Sequence, residues 1–386
     1  MILIPRLQAK TAVLQSLKRY PVTVLLGPRQ CGKTTLVRHL RSRGPITLFD
    51  LEDPETSLTP SSAALILRGL KGWVIIDECQ RQPKLFELIR VLSDRRPLPA
   101  RFLLLGSASM EMVRGISESL AGRAAYVEMG GFSLEEVGSG KIEKRWARGA
   151  FPRAFLAKSD EESHRWRMHF IQSFLERDLP QLGIRIPSAA LRRFWTMLAH
   201  LHGHVWNAAD LSRSMGVQEG TARRYLDILT GAFMIRQLQP WFVNTGKRLV
   251  KSPKVYFRDS GLLHSLLGLK TLSQIRAHPT LGFSWEGFAL DEIIRMMSAD
   301  RDAFFYKTHS GAELDLLIIR GGKSYGFEFK YMDAPQITKS MHVVTQDLNL
   351  HQLWVIYPGQ RAYPLAKKID ALPLTDASDV LRRIRS

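Results

Sequence analysis

No feature narrows the folds open to this chain as much as the run VTVLLGPRQCGKTTL that begins at Val22. Val22 to Leu26 is an apolar strand pattern, and a helical pattern begins near Lys33. Between them stands a full G-x-x-x-x-G-K-T, from Gly27 to Thr34, the loop that an α/β domain holds between a strand and the helix after it. Its glycines let backbone N–H groups close around phosphate oxygens, and the helix start adds its dipole. The expected nucleotide-binding set is Gly27, Pro28, Arg29, Gln30, Cys31, Gly32, Lys33, Thr34 and Thr35. Within it, Lys33 is placed to reach the β- and γ-phosphates, and the Thr34 hydroxyl to ligate Mg²⁺.

Hydrolysis needs a further carboxylate for the metal and a group that orients water. The stretch GWVIIDECQ offers both: a buried strand, Trp73 to Ile76, then Asp77 for the magnesium shell and Glu78 to polarise the attacking water. No Asn-Lys-x-Asp guanine reader occurs, so ATP is favoured over GTP. The next strand pattern, RFLLLGSAS, ends in Ser107 and Ser109, which either sense the γ-phosphate or cap the strand end. The two cysteines, Cys31 and Cys79, flank these motifs and read as small buried residues rather than a redox switch. They form no disulfide framework, which suits a reducing cytosol.

Bulk composition then limits the partners. The 386 residues are 45% hydrophobic and 24% charged, as in soluble globular proteins, and allow two to four domains. No apolar run approaches the ~18–20 residues of a membrane helix, and MILIPRLQAK lacks the pattern of a signal peptide, so a cytoplasmic location is expected. A net charge of +19 favours a polyanion: DNA, RNA or an anionic membrane surface. The excess is concentrated between Leu191 and Lys270, which hold 12 Lys and Arg against 4 Asp and Glu.

Residues 141–205 read as mostly helical, with apolar positions three and four apart. His200, His202 and His204 alternate around Gly203, but no Cys or carboxylate cluster accompanies them, and no metal site is assigned. A short helix at Ala208–Ser214, a turn through Gly216 and a second helix at Gln218–Leu229 then have helix-turn-helix spacing. The second helix exposes Glu219, Arg223 and Arg224. Two β-like runs, Phe233–Val243 and Leu249–Phe257, read as a wing tipped by Lys247 and Arg248 with Lys251 and Lys254 beside it. These basic residues are the expected DNA contacts; a winged helix that binds protein is the alternative.

Taken in order, GPRQCGKTTL, VIIDECQ, SLAGR, ERDL, SPKVYFRDSGLL and FEFKY resemble a prokaryotic AAA-type ATPase family. Its C-terminal region, of unknown function, joins a winged helix to a restriction-endonuclease-like fold. The resemblance implies an α/β architecture: a P-loop AAA-type ATPase core at 1–140, a helical lid at 141–205, a winged helix-turn-helix at 206–269 and a restriction-endonuclease-like α/β domain at 270–386. It implies that Arg123, at a helix end before a strand, reaches the nucleotide of a neighbouring subunit, so that the active form is a homo-oligomer. ATP and Mg²⁺ are the implied cofactors.

Restriction-like nucleases use a helix Glu, a strand Asp and a Glu-x-Lys on the next strand, the carboxylates holding Mg²⁺ and the Lys positioning the nucleophile. Here Glu328 and Lys330 share one strand face by alternation. Gly321-Gly322 is a favoured two-residue hairpin loop, and pairing Arg320 with Lys323 sets Asp315 across from Glu328 and Glu313 across from Lys330, the latter pair as a salt bridge. Glu286 supplies the helix acid, on a stripe with Leu290, Ile293 and Met297. The expected activity is a DNA-binding ATPase that remodels or translocates DNA, including branched DNA. An ATP-regulated, metal-dependent endonuclease and a nucleotide-dependent protein switch are the alternatives.

Overall fold

The computed structural model describes residues 3–56, 58–59, 61–107, 118–242 and 248–385. Ser109 and Lys247 lie outside the described residues. The chain forms two compact units, the first from Met1–Phe132 with Gly231–Phe233, the second from Ser133–Thr230 and Met234–Ser386.

The first unit is built on five parallel strands, β1 (Val22–Leu26), β2 (Ile46–Asp50), β3 (Gly72–Asp77), β4 (Ala100–Gly106) and β5 (Ala124–Glu128), in the order β2-β3-β4-β1-β5. A parallel sheet covered on both faces has strands that read as unbroken apolar runs, which is how β1 and β4 read. Successive residues then feed opposite cores. Val22, Val24, Ile76, Phe102 and Leu104 pack with Phe86 and Ile89 of the helix Leu85–Ser93. Leu25, Ile75, Leu103 and Leu105 pack with Val13 and Leu17 of the helix Leu7–Arg19 and with Leu36 and Val37 behind the glycine loop. Because every strand runs the same way, the loops after β1, β3 and β4 all leave from one edge, where an open α/β sheet places its ligands.

The second unit holds an eight-stranded mixed sheet of β6 (Ile235–Pro240), β7 (Lys254–Phe257), β8 (Ala303–Lys307), β9 (Glu313–Arg320), β10 (Lys323–Phe329), β11 (Gln352–Tyr357), β12 (Tyr363–Ala366) and β13 (Ile369–Pro373). The order is β12-β13-β11-β10-β9-β8-β6-β7. The hairpin turn has the expected chemistry: Gly321 and Gly322 take φ of 56° and 72°, left-handed values that suit a primed two-residue turn. The register is also as expected, with Lys323 opposite Arg320 and Phe327 opposite Leu316. The two β-runs read as a wing do pair antiparallel, Ile235 with Phe257 and Leu238 with Lys254. However, β6 also runs parallel to β8, so the pair is the edge of the large sheet rather than the arm of a separate module.

Beside that edge stand the helices Ala208–Met215 and Glu219–Gly231, the first capped by the Asn207 side chain and ended by Gly216 in a left-handed turn. The three histidines do not converge. His200 and His204 are exposed and His202 is buried, and among the described residues no group of three His, Cys, Asp or Glu could hold a metal.

His202 instead accepts the Phe257 N–H at Nδ1 (3.0 Å). His264, also buried, lies between the Ala147 carbonyl (3.1 Å) and the Ser284 hydroxyl (2.7 Å), and that hydroxyl accepts the Trp146 indole N–H. Burial pushes both imidazoles down to about 3. Unfolded, each titrates near ~6.5, so between those values the unfolded chain binds protons that the native chain refuses. Stability is therefore complete above pH ~6.5 and falls on acidification by up to about 1.4 kcal/mol per pH unit for each histidine. Urea unfolding at about pH 7.5 and about pH 5 checks this; equal midpoints would contradict it.

Candidate functional site

The glycine loop in the first unit is shaped from behind. A Cβ on Gly27 would lie 2.0 Å from the Met129 carbonyl oxygen, so only glycine lets the loop pass β5. Cys31, buried, directs its thiol to the same carbonyl (3.4 Å). Arg6 closes the arrangement by donating to the carbonyls of Cys31 (2.9 Å), Gly130 (2.8 Å) and Gly131 (2.9 Å). Nothing in the motifs points to this role for Arg6, which precedes the first helix. At the loop's mouth Arg29 pairs with Glu52 (2.8 Å), which also meets Arg81 (3.3 Å).

The helix Lys33–Arg38 starts as expected, with Thr35 exposed in its first turn. Lys33 is buried and donates to the carbonyls of Gly27 and Pro28, both at 2.9 Å. Thr34 Oγ1 donates to Asp77 Oδ2 at 2.6 Å. Two oxygen donors from two motifs thus meet at one point, and this donor set fits Mg²⁺. Burial pushes the Asp77 carboxyl up, against the hydrogen bond from Thr34.

Glu78 takes a left-handed backbone (φ 53°, ψ 42°), uncommon for a residue with a side chain and frequent where function demands it. Its Oε2 accepts from the Ser107 hydroxyl (3.3 Å) and from the Gln80 amide, which also donates to Ser107 (3.2 Å). Ser107 and Glu78 are therefore brought together, with Gln80 as a third member that the motif patterns do not single out. Its place in VIIDECQ, two residues beyond Glu78, is the signal that could have found it. Cys79 is fully buried and burial pushes its thiol up, which removes it from thiolate chemistry.

Arg123 is not part of this group. Its carbonyl accepts from Val22 N, at the start of β1, whereas the glycine loop follows the end of β1. Five strand residues separate the two edges, about 16 Å. The guanidinium is half-exposed and bonds Asp94 twice, at 2.7 and 2.8 Å.

In the second unit, Glu286 on the helix Leu281–Met297, Asp315 on β9, and Glu328 and Lys330 at the end of β10 are brought together as expected. Lys330 Nζ is 2.9 Å from Glu328 and 3.9 Å from Asp315, whose Oδ2 also accepts the Phe329 N–H (3.2 Å). Two expectations are corrected. Lys254 is not a surface DNA contact: it is buried, with Nζ 2.6 Å from Glu313, 3.4 Å from Asp315 and 3.5 Å from Glu286. It sits on β7 in the apolar run KVYF, all of it buried, where a lysine needs carboxylate partners. Accordingly Glu313 pairs with Lys254 and Lys307 (2.6 Å each) rather than bridging to Lys330.

Tyr256, from the same strand, donates to Glu286 at 2.6 Å. Burial, reinforced by the Asp315 charge, pushes Glu286 up to about 7 and Glu328 up to about 8. Burial works against the Lys254 ammonium, but Tyr256, Glu286, Asp315 and Glu313 outweigh it and hold the charge well above the ordinary lysine value.

The remaining expected DNA residues, Arg223, Arg224, Arg248 and Lys251, are exposed. Arg223 makes a loose pair with Glu219 one turn earlier (3.7 Å). Part of the regional charge excess is internal, however. Arg236 and Arg258 both meet Asp300, at 2.9 and 3.6 Å, and join Asp291 below the surface.

Comparison with known proteins gives these sites a setting. A model of the AAA domain matches residues 19–138, a domain of unknown function (DUF8612) matches 139–273, and a second (DUF4143) matches 281–377. Over 372 residues the chain is 47% identical to uncharacterized proteins of Mycobacterium tuberculosis and Mycobacterium bovis, covering 96% of this chain and 84% of each relative. Among solved structures it is similar to a Walker-type ATPase of Pyrococcus abyssi, with a TM-score of 0.47 and 15% identity over 69% of this chain and 96% of that one. Among the described residues no helix is long and apolar enough to cross a membrane.

Proposed function

Because the chain belongs to the AAA-type ATPase family that carries the DUF8612 and DUF4143 domains, we propose that it couples ATP hydrolysis to remodelling or translocation of DNA, branched DNA included. The convergence of Lys33, Thr34, Asp77, Glu78 and Ser107 on the C-terminal edge of the parallel sheet carries the reading of the ATP site. Thr34 and Asp77 would hold Mg²⁺, which when bound neutralises phosphate charge. Lys33 exchanges its two loop carbonyls for phosphate oxygens. Glu78, steadied by Ser107 and Gln80, orients the attacking water.

Arg123 lies too far from its own glycine loop to serve it, which supports action on a second copy within a homo-oligomer; the location proposed for that assembly is the cytoplasm. DNA is held at the helix Glu219–Gly231 through Arg223 and Arg224, with Arg248 and Lys251 as further contacts. Their exposure supports phosphate contacts, and Lys254 takes no part.

The test is ATP turnover with duplex, junction and single-stranded DNA; no stimulation by any of them would sink the coupling. A separate prediction concerns binding. Arg223→Ala/Arg224→Ala reduces the slope of log affinity against log salt by about 2, uniformly across sequences. Fluorescence anisotropy over a salt series measures it, and an unchanged slope would move DNA to another surface.

A further inference from the structure

We propose that Lys254 is the resident cation of the carboxylate site, occupying the position a divalent metal would need, so that this site is structural rather than nucleolytic. Three carboxylates, Glu286, Asp315 and Glu313, surround the Lys254 Nζ at 3.5, 3.4 and 2.6 Å. An ammonium has three N–H donors and no acceptor, so each carboxylate finds one donor. Both oxygens of Asp315 and one each of Glu286 and Glu328 are already engaged. Glu286 Oε1 takes the Tyr256 hydroxyl, Asp315 Oδ2 takes the Phe329 N–H, and Glu328 Oε2 takes Lys330. Magnesium demands oxygens at about 2.0–2.1 Å in near-ideal octahedral geometry and keeps several waters. An ion bridging Glu286 and Asp315 would have to share them with a buried ammonium, where repulsion is poorly screened.

Lys254 cannot easily withdraw. It is 3% exposed, and β7 holds its backbone opposite Leu238. The arrangement also answers the problem that opposed carboxylates pose. Asp315 and Glu328 need positive charge between their strands, and Lys254 and Lys330 supply it without a metal. The residues therefore do not fit Mg²⁺ while Lys254 is present, and this departs from the endonuclease alternative.

Mn²⁺ binding to the full-length, nucleotide-free chain tests the assignment, read by the electron paramagnetic resonance signal of unbound Mn²⁺. The wild type has no Mn²⁺ site that Asp315→Asn abolishes. Lys254→Met gains one, and Lys254→Met/Asp315→Asn loses it again. Mn²⁺ also raises the unfolding midpoint of Lys254→Met and leaves that of the wild type unchanged. An Asp315-dependent Mn²⁺ site in the wild type, or none gained by a folded Lys254→Met, overturns the proposal. Should Lys254→Met fail to fold, wild type against Asp315→Asn decides alone: a difference in bound Mn²⁺ overturns the assignment and equality upholds it.

Discussion

Lys33→Ala lowers ATP turnover by at least about 10²–10³-fold, the range for losing one preorganised charge-stabilising donor. The loss follows from where the ammonium rests. Lys33 is buried inside its own loop, 2.9 Å from the carbonyls of Gly27 and Pro28, and no lysine on the surface can take its place there. Those carbonyls are neutral acceptors, whereas a charge-assisted bond to phosphate is roughly twice as strong, so bound nucleotide draws the side chain across. Glu78→Gln is the companion. It keeps the size of the side chain and removes the charge that polarises water, so turnover falls by about 10²–10⁴-fold with nucleotide binding retained. Phosphate release and binding of a fluorescent nucleotide separate the two variants. Turnover within roughly threefold of wild type for Lys33→Ala, well inside the expected loss, would refute the assignment.

The largest expected effect on stability lies in the second unit. Arg145 and Glu292 form a buried pair at 2.8 Å, and Glu292 Oε2 also accepts the Leu134 N–H (2.9 Å). Burial pushes Glu292 up and Arg145 down, each toward its neutral form, with the pairing in opposition. Desolvation thus outweighs the attraction between the two charges, and removing one of them is not equivalent to removing both. Glu292→Leu alone leaves a buried guanidinium without its carboxylate and costs about 3–5 kcal/mol. In a unit of this size that lowers the unfolding midpoint by on the order of 10 °C. Arg145→Met/Glu292→Leu removes both charges and recovers most of the loss. Thermal unfolding of the two variants measures this. A double variant as unstable as the single one would mean that packing, not charge, sets the cost.

These contrasts show which parts of the molecule can be read from sequence. The glycine loop, Asp77 and Glu78 are legible because their chemistry is local: strand, loop and helix follow within a few residues. The hairpin register is legible because Gly321-Gly322 admits few turn geometries and strand alternation does the rest. Glu286 is legible as an acid on an apolar stripe, which has to face a partner. Lys254 escapes such a reading because its partners lie on another helix and another strand, and a regional charge count treats a sunken lysine like a surface one. The wing is half legible for a similar reason. Pairing of β6 with β7 is local, but its parallel join to β8 is made by residues far along the chain. Arg6 is invisible because it recognises carbonyls, which any sequence provides.

The fastening of the helix Glu219–Gly231 has a mechanical consequence. Gln237 on β6 donates to Asp227 (3.2 Å) and to Thr230 (3.0 Å) on that helix, and β6 is hydrogen-bonded on one side to β7 and on the other to β8. The helix is thus geared to the sheet rather than hung from it. A displacement of the helix would therefore carry β6 with it and, through the β6–β7 pairing, the edge strand that holds Lys254.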